Sequence, residues 1–193
     1  MKRAAQHRSV VGVTLVEMAV AVIVLSVIVA VAVPSFSSLI ERRRIIATAG
    51  EIASIIAFAR TEANAVNAPF NLHLEAVPAN ITDFGSCIRV SAGRNDTCQC
   101  NLARACRIGD AKVLRELLLP RGNSVSFAAT ADWGGRTGVV SFVRDPRLTD
   151  VENLVVTVSG ARTGARLAVQ YSNAGRVRTC SPDGSIGGFP VCS

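Results

Sequence analysis

The sequence is poor in the side chains that enzymes most often use. His7 and His73 are its only histidines, and His73 sits inside a strand-like pattern with no catalytic partner identifiable beside it. The glycine-rich stretch Gly184 to Gly188 matches no phosphate-loop spacing. Cys-x-x-Cys pairs are absent, and His73 is distant in sequence from the cysteine cluster, which weighs against zinc. We therefore expect no enzyme activity, no cofactor and no metal. Aromatic residues make up 5% of the chain, and only Trp133 and Tyr171 carry a polar handle. That removes a platform for stacking bases, so both are expected to serve packing. Lysine is nearly missing: of 21 basic residues, only Lys2 and Lys112 are not arginine. Guanidinium forks suit phosphate and carboxylate. With no internal repeat and no proline-rich linker, 193 residues suffice for one globular domain plus an extended helix.

Charge is also missing from Val13 to Val33, where Glu17 stands alone. That run, at about 1.5 Å per residue, extends roughly 31 Å and can cross a bilayer core. A lone carboxylate in such a segment is costly in lipid and marks a functional position. Before the run lies a basic leader, Met1 to Gly12, whose Lys2, Arg3 and Arg8 account for three of the net +7 charges. A secretory signal peptide places its small-residue cleavage site after the apolar stretch; here Gly12 comes before it. This order resembles the class III leader of type IV pilins and pseudopilins. The resemblance implies that a prepilin peptidase cuts after Gly12 and methylates the amine of Val13, and that Glu17 serves assembly by neutralising a neighbour's N-terminal amine. Val13 stands where that family usually has Phe or Met. The alternative is an uncleaved signal anchor with an incidental glutamate.

Pro34 should kink or loosen the helix. Apolar residues then recur as Ile45, Ile46, Ala49, Ile52, Ala53, Ile55, Ile56 and Ala59, the spacing of one buried helical stripe. Glu41 to Arg44 read as a charged collar, and Asn64 to Pro69 as the end of the helix. Short strands follow: Phe70 to Glu75, Cys87 to Ala92, Lys112 to Leu119, Ser124 to Ala129, Gly138 to Val143, Leu154 to Ser159 and Arg166 to Tyr171. A short arm, Arg176 to Cys180, comes last. The expected organisation is a leader at 1–12, a helix at 13–68 that is transmembrane over 13–33, and a β-rich domain at 69–193.

The basic leader places the N-terminus in the cytoplasm. Cys87, Cys98, Cys100, Cys106, Cys180 and Cys192 then face the periplasm, where disulfides persist. Cys180 and Cys192 flank a Gly/Pro-rich loop and form a plausible pair. Cys87, Cys98, Cys100 and Cys106 would pair among themselves, with Cys98 and Cys100 each reaching Cys87 or Cys106.

Three segments resemble the GspH/FimT family of minor pilins and pseudopilins, most closely its FimT proteins. Phe58-Ala59-Arg60-Thr61-Glu62-Ala63 with Asn67-Ala68-Pro69 is similar to the family's helix-to-strand junction. Phe142 to Arg147 is similar to its Phe-x-x-x-Gly turn, with Pro146-Arg147 where a glycine is common. Leu167 to Cys180 is similar to its C-terminal strand and arm, within which Gly175-Arg176-Val177-Arg178 resembles the Gly-Arg-x-Arg motif of FimT proteins that bind DNA in natural transformation. The implied fold is α+β, a long N-terminal helix packed on a pilin-like β-sandwich.

On an extended chain Arg176 and Arg178 point to the same side, and Gly175 permits a tight turn or close approach. Arg162 and Arg166 on the preceding hairpin could extend the patch. Asp183 is the single acid among residues 161–193, and such clustering is the electrostatic footprint of phosphate binding. The implied function is a minor type IV pilin that binds extracellular double-stranded DNA for uptake. The alternative is a structural minor pilin or type II secretion pseudopilin that primes filament assembly without binding DNA. Implied partners are other major and minor pilins through the helix, the prepilin peptidase, double-stranded DNA and, before assembly, the inner membrane. Implied localisation is single-pass in the inner membrane, then the pilus at the cell surface.

Overall fold

The computed structural model describes residues 12–76, 84–92, 98, 112–131, 138–143, 153–172 and 174–193. A single helix, α1 (Leu15–Val66), opens the chain. Thr14 caps it: the Glu17 N–H donates to Thr14 Oγ1 at 3.3 Å, and the Met18 N–H to the Thr14 carbonyl at 3.2 Å. Thr-x-x-Glu is a capping-box pattern that satisfies orphan donors of the first turn, and it sets Glu17 where the helix dipole favours a carboxylate. The helix is assigned without a break through Pro34. It stops at Asn67, whose φ of 53° is the left-handed cap, and Pro69 cannot continue it.

Packing divides the chain at Leu39 and Ile40. Before that point α1 exposes Leu15, Ile23, Leu25, Ile28 and Phe36, and the helix is long and apolar enough to cross a membrane. From Ile40 onward the helix belongs to one unit with all the strands.

Among the described residues eight strands follow: β1 (Phe70–Ala76), β2 (Phe84–Ala92), β3 (Val113–Pro120), β4 (Val125–Ala131), β5 (Val139–Phe142), β6 (Asn153–Gly160), β7 (Arg166–Ser172) and β8 (Val177–Cys180). They form two four-stranded antiparallel sheets, ordered β3-β2-β1-β5 and β4-β6-β7-β8. The α+β expectation holds, and each expected strand is present within a few residues. The period-two pattern sets the register: Leu154, Val156 and Val158 on β6 lie opposite Tyr171, Val169 and Leu167 on β7. These six, with Leu72, Ile88, Val140 and Phe142 from the first sheet, enclose Ile45, Ala49, Ile52, Ile56 and Ala59 of α1 in one core. Ser86 joins the sheets, its hydroxyl donating to the Phe127 carbonyl at 2.9 Å and accepting from the Phe127 N–H at 3.2 Å. Arg115 of β3 lies over the Phe58 ring at 4.3 Å and donates to Ser54 Oγ, tying β3 to the helix.

The charged collar needs correction. Arg42, Arg43 and Arg44 are exposed, but Glu41 is only 1% exposed. Its carboxylate accepts from the N–H of Arg162 at 3.1 Å, and from the N–H and hydroxyl of Thr163 at 2.9 and 2.8 Å. The β6–β7 loop therefore folds over an acid of the helix. Gly160 makes room for it, since a Cβ there would overlap Glu41 Oε1.

Candidate functional site

Among the described residues β8 is an edge strand, paired only with β7. Arg178 lies opposite Gln170, and Val177 opposite Tyr171. Tyr171 is buried, its ring edge-on to Phe142 at 5.3 Å, so its face of the sheet is the core face. Val177 packs against that core, while Arg176 and Arg178 are exposed on the other side. Neither guanidinium has a hydrogen-bond or ion-pair partner among the described residues. Together they line a cavity of about 490 Å³, whose floor includes Asn153, Gln170 and Ser172 on the outer face of β6 and β7. Ser193 also lines it, so the cavity holds two cationic forks, two amides and two serine hydroxyls.

The turn leading into β8 is closed by the Gly175 N–H, which donates to the Ser172 carbonyl at 2.7 Å. Gly175 has φ of 74°, in the left-handed region where a side chain is strained. Its carbonyl accepts a hydrogen bond from Arg60 of α1, and a Cβ on Gly175 would overlap the Arg60 guanidinium. Burial raises the Tyr171 hydroxyl above its ordinary pKa, and the nearby Arg60 charge partly offsets this.

Arg162 and Arg166 lie elsewhere. β7 enters at Arg166 and leaves at Ser172, about 20 Å on at roughly 3.3 Å per residue. Arg176 stands at the exit, and Arg162 and Arg166 at the entrance. Arg166 is also engaged, its Nε 3.3 Å from Asp183 Oδ2. Hydrogen bonds from the Ser185 hydroxyl and N–H, with help from Arg166, pull the Asp183 carboxyl down to about 2. Asp183 therefore stays ionised and neutralises Arg166 at physiological pH. The geometry separates the four arginines into the Arg176–Arg178 pair at one end of β7 and Arg162 and Arg166 at the other, where Arg166 is ion-paired and Arg162 gives its backbone N–H to Glu41.

The Cys180–Cys192 disulfide is present, with Cα atoms 5.0 Å apart. It holds the tail against β8, where Ser181 and Val191 make a parallel bridge. Cys87 and Cys98 are buried and disulfide-bonded, which removes them as thiolate ligands for zinc. Cys100, Cys106, Trp133 and the turn residues 144–147 lie outside the described residues. Gly12 and exposed Val13 begin them. His73 is buried in β1, with Nε2 3.3 Å from Ser91 Oγ.

Sequence reasoning missed Glu41 and Arg60. Each acts through a partner more than a hundred positions away, and no local pattern announces such contacts.

No protein-family model matches the chain, and no curated protein matches it. Among solved structures it is similar to the type IV minor pilin FimU of Pseudomonas aeruginosa. One crystal form gives a TM-score of 0.48 at 13% identity, covering 72% of this chain and 89% of that one. A second gives 0.44 at 13%, covering 69% and 90%. It is also similar to the minor pseudopilin EpsH from the type 2 secretion system of Vibrio cholerae, with a TM-score of 0.47 at 8% identity, covering 72% and 97%.

Proposed function

We propose that this chain is a minor type IV pilin of the GspH/FimT kind, most like FimT. In this reading it is held in the inner membrane by residues 13–33 until it enters a pilus, and it captures extracellular double-stranded DNA for natural transformation. Its role is binding and assembly rather than catalysis. Processing after Gly12 leaves the apolar half of α1 as the assembly element, with Glu17 near the new N-terminus.

One observation carries the DNA reading: the guanidinium groups of Arg176, just before edge strand β8, and Arg178, on it, are exposed, unpartnered among the described residues, and line one cavity. Desolvating a free guanidinium against phosphate breaks no existing ion pair, and the planar fork matches two phosphate oxygens. The pair meets backbone charge and carries no base readout, so binding should be independent of sequence.

The test uses the full chain in detergent with labelled duplexes across a salt series. Each neutralised phosphate contributes a slope of about −0.9 in log affinity against log salt. The Arg176→Gln/Arg178→Gln variant should lose roughly two such contacts and weaken equally on every duplex. Unchanged affinity at matched circular dichroism would reject DNA capture and leave a structural minor pilin or pseudopilin.

A further inference from the structure

Two segments that look unrelated in sequence, Phe58–Ala63 on the helix and Gly175–Arg178 on the arm, meet through one side chain. We propose that Arg60 is a positioning residue for the Arg176–Arg178 pair; this rests on the DNA reading above. Arg60 donates to the Gly175 carbonyl from beneath the turn. That carbonyl shares a rigid peptide plane with the Arg176 N–H. Gripping the oxygen therefore fixes the plane from which the Arg176 side chain departs.

Two further hydrogen bonds limit the turn: Gly175 N–H to the Ser172 carbonyl, and Ser172 N–H to the Arg176 carbonyl at 3.1 Å. The guanidinium also fills the space that a Cβ on Gly175 would need. Glycine is thus required at 175 twice over, by its left-handed φ and by the cation beneath it. Arg60 lies on the core side of the sheet, near Tyr171, while Arg176 and Arg178 face outward. It holds the arm without itself facing the cavity. An ordered arm spares the ligand the cost of immobilising two long side chains and their backbone.

The experiment is a cycle on the full chain in detergent, reading duplex affinity by fluorescence anisotropy. Arg60→Met should weaken binding about tenfold in the parent, the size expected when the ligand must itself order one long side chain. In the Arg176→Gln/Arg178→Gln background the same change should do nearly nothing. Independent, multiplying effects in the two backgrounds would show that Arg60 touches phosphate directly and overturn the positioning role. A parent-like affinity for Arg60→Met, with the double arginine variant impaired, would also overturn it while leaving DNA capture intact. A double arginine variant that binds as the parent does would remove the DNA reading, and this inference with it.

Gly175→Ala provides the second route should Arg60→Met melt early. It displaces the guanidinium while keeping the charge, and should reproduce the loss. Removing Arg60 as well should make the alanine less harmful than it is alone, because the overlap is gone. An alanine whose effect is the same with and without Arg60 would contradict the packing argument.

Discussion

Replacing Glu41 by alanine should destabilise the unit from Ile40 to Ser193 by about 3 kcal/mol. The carboxylate is covered and accepts from two backbone N–H groups and one hydroxyl. Hydrogen bonds to a charged group are each worth about 1.5–3 kcal/mol. Three at the low end give about 4.5 kcal/mol. The β6–β7 loop is exposed on its far side at Ala161, Arg162 and Gly164, so water can serve some stranded donors, which lowers the figure to about 3 kcal/mol. For a unit of this size, 1 kcal/mol moves the melting temperature by about 2–4 °C, so a drop of about 6–12 °C is expected. The assay is thermal unfolding of the full chain in detergent, followed by circular dichroism.

The same carboxylate gives a pH signature. Burial raises its pKa, but hydrogen bonds from Thr163 and Arg162 and the Arg162 charge outweigh burial and hold it below the ordinary value. A depressed native pKa means stability that is present above the unfolded pKa, about 4.3. It is lost as pH falls through the native pKa. Glu41→Gln keeps the shape and should abolish that acid-side loss while costing less than alanine at neutral pH. An alanine variant melting within about 2 °C of the parent, or a glutamine variant with the parent's acid dependence, would refute the clamp.

Further expectations follow from other residues. Gly50 is an exposed helical glycine with nothing within 4 Å of the place an added Cβ would take, so Gly50→Ala should stabilise the fold by about 0.5–1 kcal/mol in the same melting assay. Replacing Cys180 and Cys192 together by serine opens a loop with a sequence separation of 12 and should cost about 3 kcal/mol. Alkylation of the non-reduced parent should label neither cysteine. Mass spectrometry of membrane-extracted protein should find Val13 as the mature N-terminus; an intact Met1 would contradict the leader assignment. Glu17→Ala should leave that cleavage intact yet keep the chain out of sheared pili, and normal incorporation would show the carboxylate to be dispensable.

The strands were legible because burial on a pleated sheet imposes a period of two. Leu154, Val156 and Val158 are buried while Val155, Thr157 and Ser159 between and after them are only half-buried; β7 is less regular, with Ala168 buried between Leu167 and Val169. The helical stripe from Ile45 to Ala59 was legible for the same reason at period 3.6. Thr14, three residues before Glu17, is a local capping pattern and was available to reading. Glu41 was not: beside three arginines it reads as solvated charge, and only the fold brings residues 160–163 over it. Nor does proximity in sequence separate Arg166 from Arg176 and Arg178. Their division depends on which end of β7 each occupies, and on Asp183 claiming the first.

The two charged side chains that meet glycines across the fold have a mechanical consequence. Glu41 holds the loop before β7 and Arg60 the turn after it, about 28 Å apart along the helix axis. One central strand is therefore fastened to α1 at both ends by polar contacts. Tension along α1 would reach β7 through both fastenings in parallel. The interval between positions 41 and 60 is longer than the roughly 20 Å of β7 and brackets it, so stretching the helix there would disturb both ends of β7 together.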